Sequence, residues 1–457
     1  MRSVTIRRWT PSLICLVLGL ALAVPLAAEA ENWPHWRGPN HDSTSGETGL
    51  PTTWSERENV LWRHDLPGPA ASSPVVWGER IFLTSTQKGE DGLWVMAIDR
   101  QGREVWKTRA DAGTIEVFEQ FAHETNAASS SPAVDGERVY ALFATGGLQS
   151  FDAATGKALW KADLAERYGA PNMFFGLSTS PLLVGDRLFL HLLHTDAQLV
   201  IGLDAASGRE LWKHRRSTDA TGECLHSYTS VLPFASSGGG AVESLLVHGA
   251  DYLSAHSPED GRELWRYGTL NPKDNYNSFF RLVASPVSRD GLVIAPTAKR
   301  GPVFGLRPGQ APEGGPQPVA LEWQLGAGTP DVPSPILSGG LVYLAGENGR
   351  LTALDAKTGE RVYAERVHQG PHRGSPVLAD GKLFTIAVDG TVSVIQAGRE
   401  FKVLAKNRIE GAGRLASSPA ISRQTIYLRT ADALFAIAES EKPAAEGLTL
   451  KVDDKAP

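Results

Sequence analysis

Apolar positions in this chain do not recur with a helical period; they come in short β-branched and aromatic runs broken by glycine and aspartate. Val139-Tyr140-Ala141-Leu142, Leu188-Phe189-Leu190 and Leu341-Val342-Tyr343-Leu344 are examples, each predicting a short strand between turns. The runs belong to a longer phrase that returns eight times: small residues ending in Pro, a step to Gly, then a strand. It reads Ser72-Ser73-Pro74, Ser130-Ser131-Pro132, Thr179-Ser180-Pro181, Thr229-Ser230-Val231, Ala284-Ser285-Pro286, Pro333-Ser334-Pro335, Gly374-Ser375-Pro376 and Ser417-Ser418-Pro419. Successive copies lie roughly 41 to 58 residues apart, the period of a four-stranded blade. One such unit cannot bury its apolar face alone. The pattern therefore predicts an all-β, eight-bladed β-propeller with few helices. The fourth copy carries Val231 where the others have Pro, and Gly238-Gly239-Gly240 soon after; discounting it leaves seven blades as the alternative.

A second signature closes each repeat. Asp99-Arg100-Gln101-Gly102 leads to Trp106, Asp152-Ala153-Ala154-Thr155-Gly156 to Trp160, and Asp204-Ala205-Ala206-Ser207-Gly208 to Trp212. Glu259-Asp260-Gly261 leads to Trp265, and Asp355-Ala356-Lys357-Thr358-Gly359 to Tyr363. The Asp can cap its own turn, the Gly supplies a positive φ, and the ring four residues on can cover the gap between blades. Asn59-Val60-Leu61-Trp62-Arg63 reads like one more outer strand, whereas the last repeat supplies only three. The N-terminal strand with Trp62 is thus expected to complete the last blade, removing two open sheet edges.

These motifs resemble the pyrroloquinoline-quinone-like (PQQ-like) propeller repeat, A-x-D-x-x-T-G-x-x-x-W, over residues 59–438. The resemblance implies the fold; bearers of the repeat range from quinoprotein dehydrogenases to non-catalytic scaffolds, including an outer-membrane assembly scaffold of similar architecture. Asn32-Trp33-Pro34-His35-Trp36-Arg37-Gly38-Pro39-Asn40 also resembles the W-P-x-W-R-G-P leader of exported PQQ-like propellers common in planctomycetes. Two indoles in nine residues predict that the segment 31–58 packs on the ring. The polar tail 439–457 is expected to fray.

Composition changes the picture in two ways. A formal charge of −6 without basic clusters gives no footprint for nucleic acid. Arg2, Arg7 and Arg8 before the apolar run Leu13–Leu26, with Ala28-Glu29-Ala30 after it, read as a signal peptide over 1–30, a retained anchor being the alternative. An exported protein, periplasmic or secreted, is the expectation, without a transmembrane segment once the signal is cleaved. Cleavage would leave Cys224 alone, so no intrachain disulfide is expected, and the thiol reads as buried and inert.

The loops entering the inner strands converge at the channel mouth. They are rich in His, Asn, Arg and aromatics: His123, Glu124, Asn126, Asn172, His226, Tyr228, Asn277, Arg281, His372 and Arg373 are the candidate ligand-binding residues. No catalytic residue is assigned. His123, His226, His372 and Glu124 could ligate a metal by type, but no spacing fixes their distances, so no metal is assigned. The serines of the repeat read as inner-strand packing. The alcohol-oxidising quinoproteins imply an adjacent Cys pair, a calcium held by Glu and Asn, and an Asp base; no residues here match these, so PQQ with calcium is not expected. The sequence points to a monomeric, non-catalytic binding or interaction propeller for an exported protein or a polar small molecule. The alternative is a quinoprotein oxidoreductase with a divergent cofactor site.

Overall fold

The computed structural model describes residues 31–115, 125–237, 240–312 and 317–440. The signal-peptide reading and the tail beyond residue 440 lie outside them. Eight sheets of four antiparallel strands make up the fold. The first blade comprises Val75–Trp77, Arg80–Thr86, Gly92–Asp99 and Glu104–Ala112, and each following repeat adds another. The doubtful fourth copy forms a complete blade from Leu232–Phe234, Ser244–Gly249, Tyr252–His256 and Glu263–Tyr267. The ring therefore has eight blades, not seven. In the last blade Ala420–Ser422, Thr425–Arg429 and Ala433–Ile437 are joined by Val60–Asp65, with Trp62 opposite Ala436.

The phrase that defines the repeat has a second job beyond packing. The backbone N–H of Ser73 donates to Ser131 Oγ (2.8 Å), Ser131 to Ser180 (3.1 Å), Ser180 to Ser230 (3.0 Å) and Ser230 to Ser285 (3.1 Å). The series runs on from Ser285 to Ser334, Ser334 to Ser375, Ser375 to Ser418, and Ser418 back to Ser73, each at 2.9 Å. Every blade thus hands one buried amide to the hydroxyl of the next. The fourth copy keeps its place because Ser230, not the following proline, is what the belt needs.

Outside the belt, the indoles lock neighbouring blades. Trp62, Trp106, Trp160, Trp212 and Trp323 each donate Nε1–H to a carbonyl of the following blade: Arg100, Ala153, Ala205, Pro258 and Ala356. The receiving turn is shaped by its own aspartate, since Asp152 Oδ1 accepts from both the N–H and the hydroxyl of Thr155 (2.7 Å each). Gly156 then takes φ +71°, and a Cβ there would meet the Trp106 ring at 2.5 Å, so only glycine fits. Trp106, Trp212 and Trp265 are buried and Trp160 is half-buried. Trp265 Nε1 has no acceptor and packs edge-on to Phe234; Tyr363 packs on Phe401 instead. Trp323, which lacks the Asp-Gly signature before it, joins the set.

The segment before the ring crosses one end of the channel. Trp33 exchanges both backbone hydrogen bonds with Val76 of the first blade, and Val134 of the second donates to Pro34 O. The fully buried Arg37 donates to Pro286 O (2.7 Å) and Pro335 O (2.5 Å) on the fifth and sixth blades, and Ser43 and Ser45 pair with Leu378 on the seventh. Leu50 and Trp54 then join the core near Phe384, Ile426 and Tyr427 before the chain becomes the last outer strand.

Three outcomes are expected from this architecture. Ser285→Ala leaves the Ser230 amide buried without an acceptor, at a cost of about 1–3 kcal/mol; denaturant unfolding checks this, and a neutral change refutes the belt's role. Trp106→Ala and Trp212→Ala each lose about 3–5 kcal/mol. Deleting residues 31–66 removes the plug and the closing strand together, and the thermal midpoint should collapse.

Candidate functional site

The belt encloses a cavity of about 220 Å3. All eight belt serines line it, together with Trp36, Phe175, Tyr228, Arg281, Asp331 and Arg373. Trp36 enters from the leader that blocks the far end, and Arg37 lies against its ring at 5.4 Å. The cavity is therefore a cup with an indole in its floor rather than a through-channel.

The walls come from the loops that enter the inner strands. Arg281 lies over the Phe175 ring at 5.2 Å and donates to Glu223 Oε1 at 3.2 Å. Burial pushes the Glu223 carboxyl up, against the pull of Arg281. The loop bearing Arg281 is held by Asp251, which accepts from Asn271 Nδ2 (3.1 Å) and Tyr276 Oη (2.7 Å). Asn271 in turn accepts from the Asn277 N–H, and Cys224 donates to Asn277 O. Cys224 is fully buried, with its thiol pushed up by burial. Asp331 sits 3.2 Å from Lys299 Nζ and 3.8 Å from Arg373. Tyr228 is buried against Phe175, and burial pushes its phenol up.

Of the candidates named from sequence, Tyr228, Arg281 and Arg373 line the cup. Asn126 lines a smaller neighbouring pocket with Arg373 and donates to Pro69 O. The others have structural places. Asn172 donates to Asp196, and Asn277 Oδ1 caps Phe279 N. His226 meets Thr195 Oγ1 and the Phe174 ring. His372 is buried against Gly346 O. Burial lowers both histidines, so both are neutral near pH 7. His123 and Glu124 lie outside the described residues. No group of three or more His, Cys, Asp or Glu able to hold a metal occurs among the described residues. Sequence reasoning missed Trp36 and the belt serines as lining; the recurrence of Ser at one register of every repeat was the available signal.

A fused tricyclic quinone with its calcium does not fit this lining. The described wall offers one carboxylate, Asp331, already held by Lys299, and no cysteine pair. Its volume is only about half as large again as a cavity of ~150 Å3 that holds a single benzene ring.

The family described as outer membrane protein assembly factor BamB matches residues 44–171, 91–311 and 313–441. The chain belongs to this family of PQQ-like propellers. It is 25% identical over 277 residues to the outer membrane protein assembly factor BamB of Yersinia pestis, covering 58% of this chain and 61% of that protein. It is 27% identical over 201 residues to a polyvinylalcohol dehydrogenase of Pseudomonas sp, covering 40% of this chain and 29% of the enzyme. The chain thus spans less than two thirds of the length of these relatives. Among solved structures, BamB from Moraxella catarrhalis superposes with a TM-score of 0.57 at 16% identity, covering 84% of this chain and 98% of that one. The quinohemoprotein alcohol dehydrogenase from Comamonas testosteroni does so at 0.62 and 14%, covering 90% and 81%. At these identities the superpositions show the fold.

The plug beneath the cup carries a pH dependence. His35 and His41 meet edge to face at 4.7 Å beside Arg37. Burial, first of all, lowers His41 to about 4 and His35 well below its usual value, and it lowers Arg37 to about 10. An unfolded histidine takes a proton near pH 6.5. Below that pH the unfolded chain binds more protons than the folded one, so stability is lost as pH falls from 6.5 towards 4. Thermal melts across that window should show the loss, and His41→Asn should make it shallower by one histidine's share, the buried His191, His248 and His256 supplying much of the rest. An unchanged slope in the variant would refute the assignment to the plug.

Proposed function

We propose that this chain is an exported, non-catalytic interaction propeller that takes a partner protein at the open mouth of its cup. The observation that carries this reading is the asymmetry of the two ends. One end is blocked by the chain's own leader; the other presents Phe279, 72% exposed, and Phe174, 47% exposed, on the loops flanking Arg281 and Phe175. Large aromatic groups left in solvent around a concave entrance are the usual mark of a surface that a partner covers. The assembly-factor relatives support a protein partner, and a periplasmic or secreted location fits both them and the leader of the sequence. No helix among the described residues is long and apolar enough to cross a membrane.

The polyvinylalcohol dehydrogenase relative supports a second reading, an oxidoreductase with a divergent quinone site. Purified protein mixed with calcium and the quinone would then show the bound cofactor's absorption and dye-linked alcohol oxidation; the interaction reading expects neither.

A photocrosslinking residue at position 279 should capture a partner in living cells, while the same residue at the exposed outer-strand position 321 should not. Phe279→Ser should lose the crosslinked complex formed from position 174 and leave the melting temperature within about 1 °C, as expected for an exposed side chain. Equal capture from both faces would overturn the mouth as the partner surface.

A further inference from the structure

The cup is unbalanced in its hydrogen bonding. Each belt oxygen already accepts the amide of the preceding blade. None of the eight hydroxyls donates to any acceptor among the described residues, although neighbouring serines do: Ser72 gives its proton to Thr84 O, Ser129 to Asn126 O and Ser417 to Arg429 O. The belt thus faces the cup with eight uncommitted protons. Trp36 adds a buried indole N–H that also lacks an acceptor. Arg281 and Arg373 add guanidinium groups on the wall. Against these donors the described lining offers one carboxylate, Asp331, already placed beside Lys299 and Arg373, while Glu223 behind the wall engages Nη1 of Arg281 and no other atom of its guanidinium. Polar groups lining a cavity are rarely left unmatched, so an occupant that displaces water from the cup must bring acceptors of its own.

The remaining lining sets its shape. Trp36 forms the floor, and Phe175 and Tyr228 meet edge to face at 5.5 Å on one wall. Flat aromatic surfaces of this kind favour a flat ligand. A volume of about 220 Å3 accommodates one or two rings.

We propose that the serine-belted cup binds a small aromatic carboxylate of one or two rings. The ring packs on Trp36, and the carboxylate accepts from Arg281 and the belt hydroxyls of that side. Charge-assisted bonds from a guanidinium to a carboxylate are shorter and stronger than neutral ones, so the charge of the ligand, not only its shape, should decide binding. This site is independent of any protein that covers the mouth, and it requires no chemistry on the ligand.

The test uses the purified full chain and five probes: benzoate, indole-3-carboxylate, the uncharged amide of each, and acetate as an acid without a ring. Binding is read by thermal shift and by tryptophan emission, since Trp36 lies in the floor. The two aromatic acids should raise the melting temperature at millimolar concentration and change the emission. The amides should bind about tenfold or more weakly, and acetate should give no shift. Arg281→Gln should weaken benzoate by about tenfold. Trp36→Phe keeps a ring in the floor and should retain the thermal shift while losing most of the emission change, which separates a local site from general stabilisation. The proposal is overturned if no aromatic acid shifts the wild type, if the amides match the acids, or if acetate matches benzoate. Failure here would leave the crosslinking result at position 279 untouched.

Discussion

One hydrogen bond, made eight times, governs this molecule: the serine amide of each inner strand given to the serine hydroxyl of the next blade. A buried amide without an acceptor is costly, and the inner strands have no sheet partner on their channel side to supply one. The belt solves that problem for every blade with a single side chain. It also spaces the inner strands around the axis, which determines the width of the cup. The outer indoles then have to reach across gaps whose size the belt has already set, and Gly156 and its equivalents leave them room by lacking a Cβ.

The leader performs at the end of the channel what the belt performs around it. Carbonyls of Pro286 and Pro335 point where no strand can reach, and the Arg37 guanidinium satisfies both. Removing that charge from water is expensive, as the fall of Arg37 to about 10 reflects. The Asp42 carboxylate nearby pairs with Arg289 and opposes that fall. The same segment ends as the outermost strand of the last blade, so closure of the ring and closure of the channel are made by one continuous stretch of chain.

Much of this was legible in the sequence, because a propeller repeats its local physics. Blade number, strand order and the closing strand follow from a fixed period and one strand missing at the end. Most docking indoles follow from the Asp-Gly turn before them; Trp323 escaped because no such turn precedes it. The site was harder. His226, His372 and Asn277 carry suggestive side chains, yet loop folding turns them to Thr195, Gly346 and Phe279 N, and sequence gives no measure of where a loop residue points. Trp36 escaped as a site residue because its role depends on contacts far along the chain. The serines were visible as a repeat, but a period reveals that a residue recurs, not that its hydroxyl reaches the next unit.

The belt also has a sense of rotation. All eight N–H groups point the same way round, from each blade to its successor and finally from Ser418 to Ser73. A cycle of this kind has no first and no last member, and the dipoles of its links follow one another head to tail. The position of the chain ends is therefore invisible to it. Termini relocated to any other inter-blade loop would leave every link in place, provided the old ends were joined. In such a rearranged chain the plug would keep its place just ahead of the strand that closes the ring and gain a second tether, so Trp36 and Arg37 would be held at the axis from both sides.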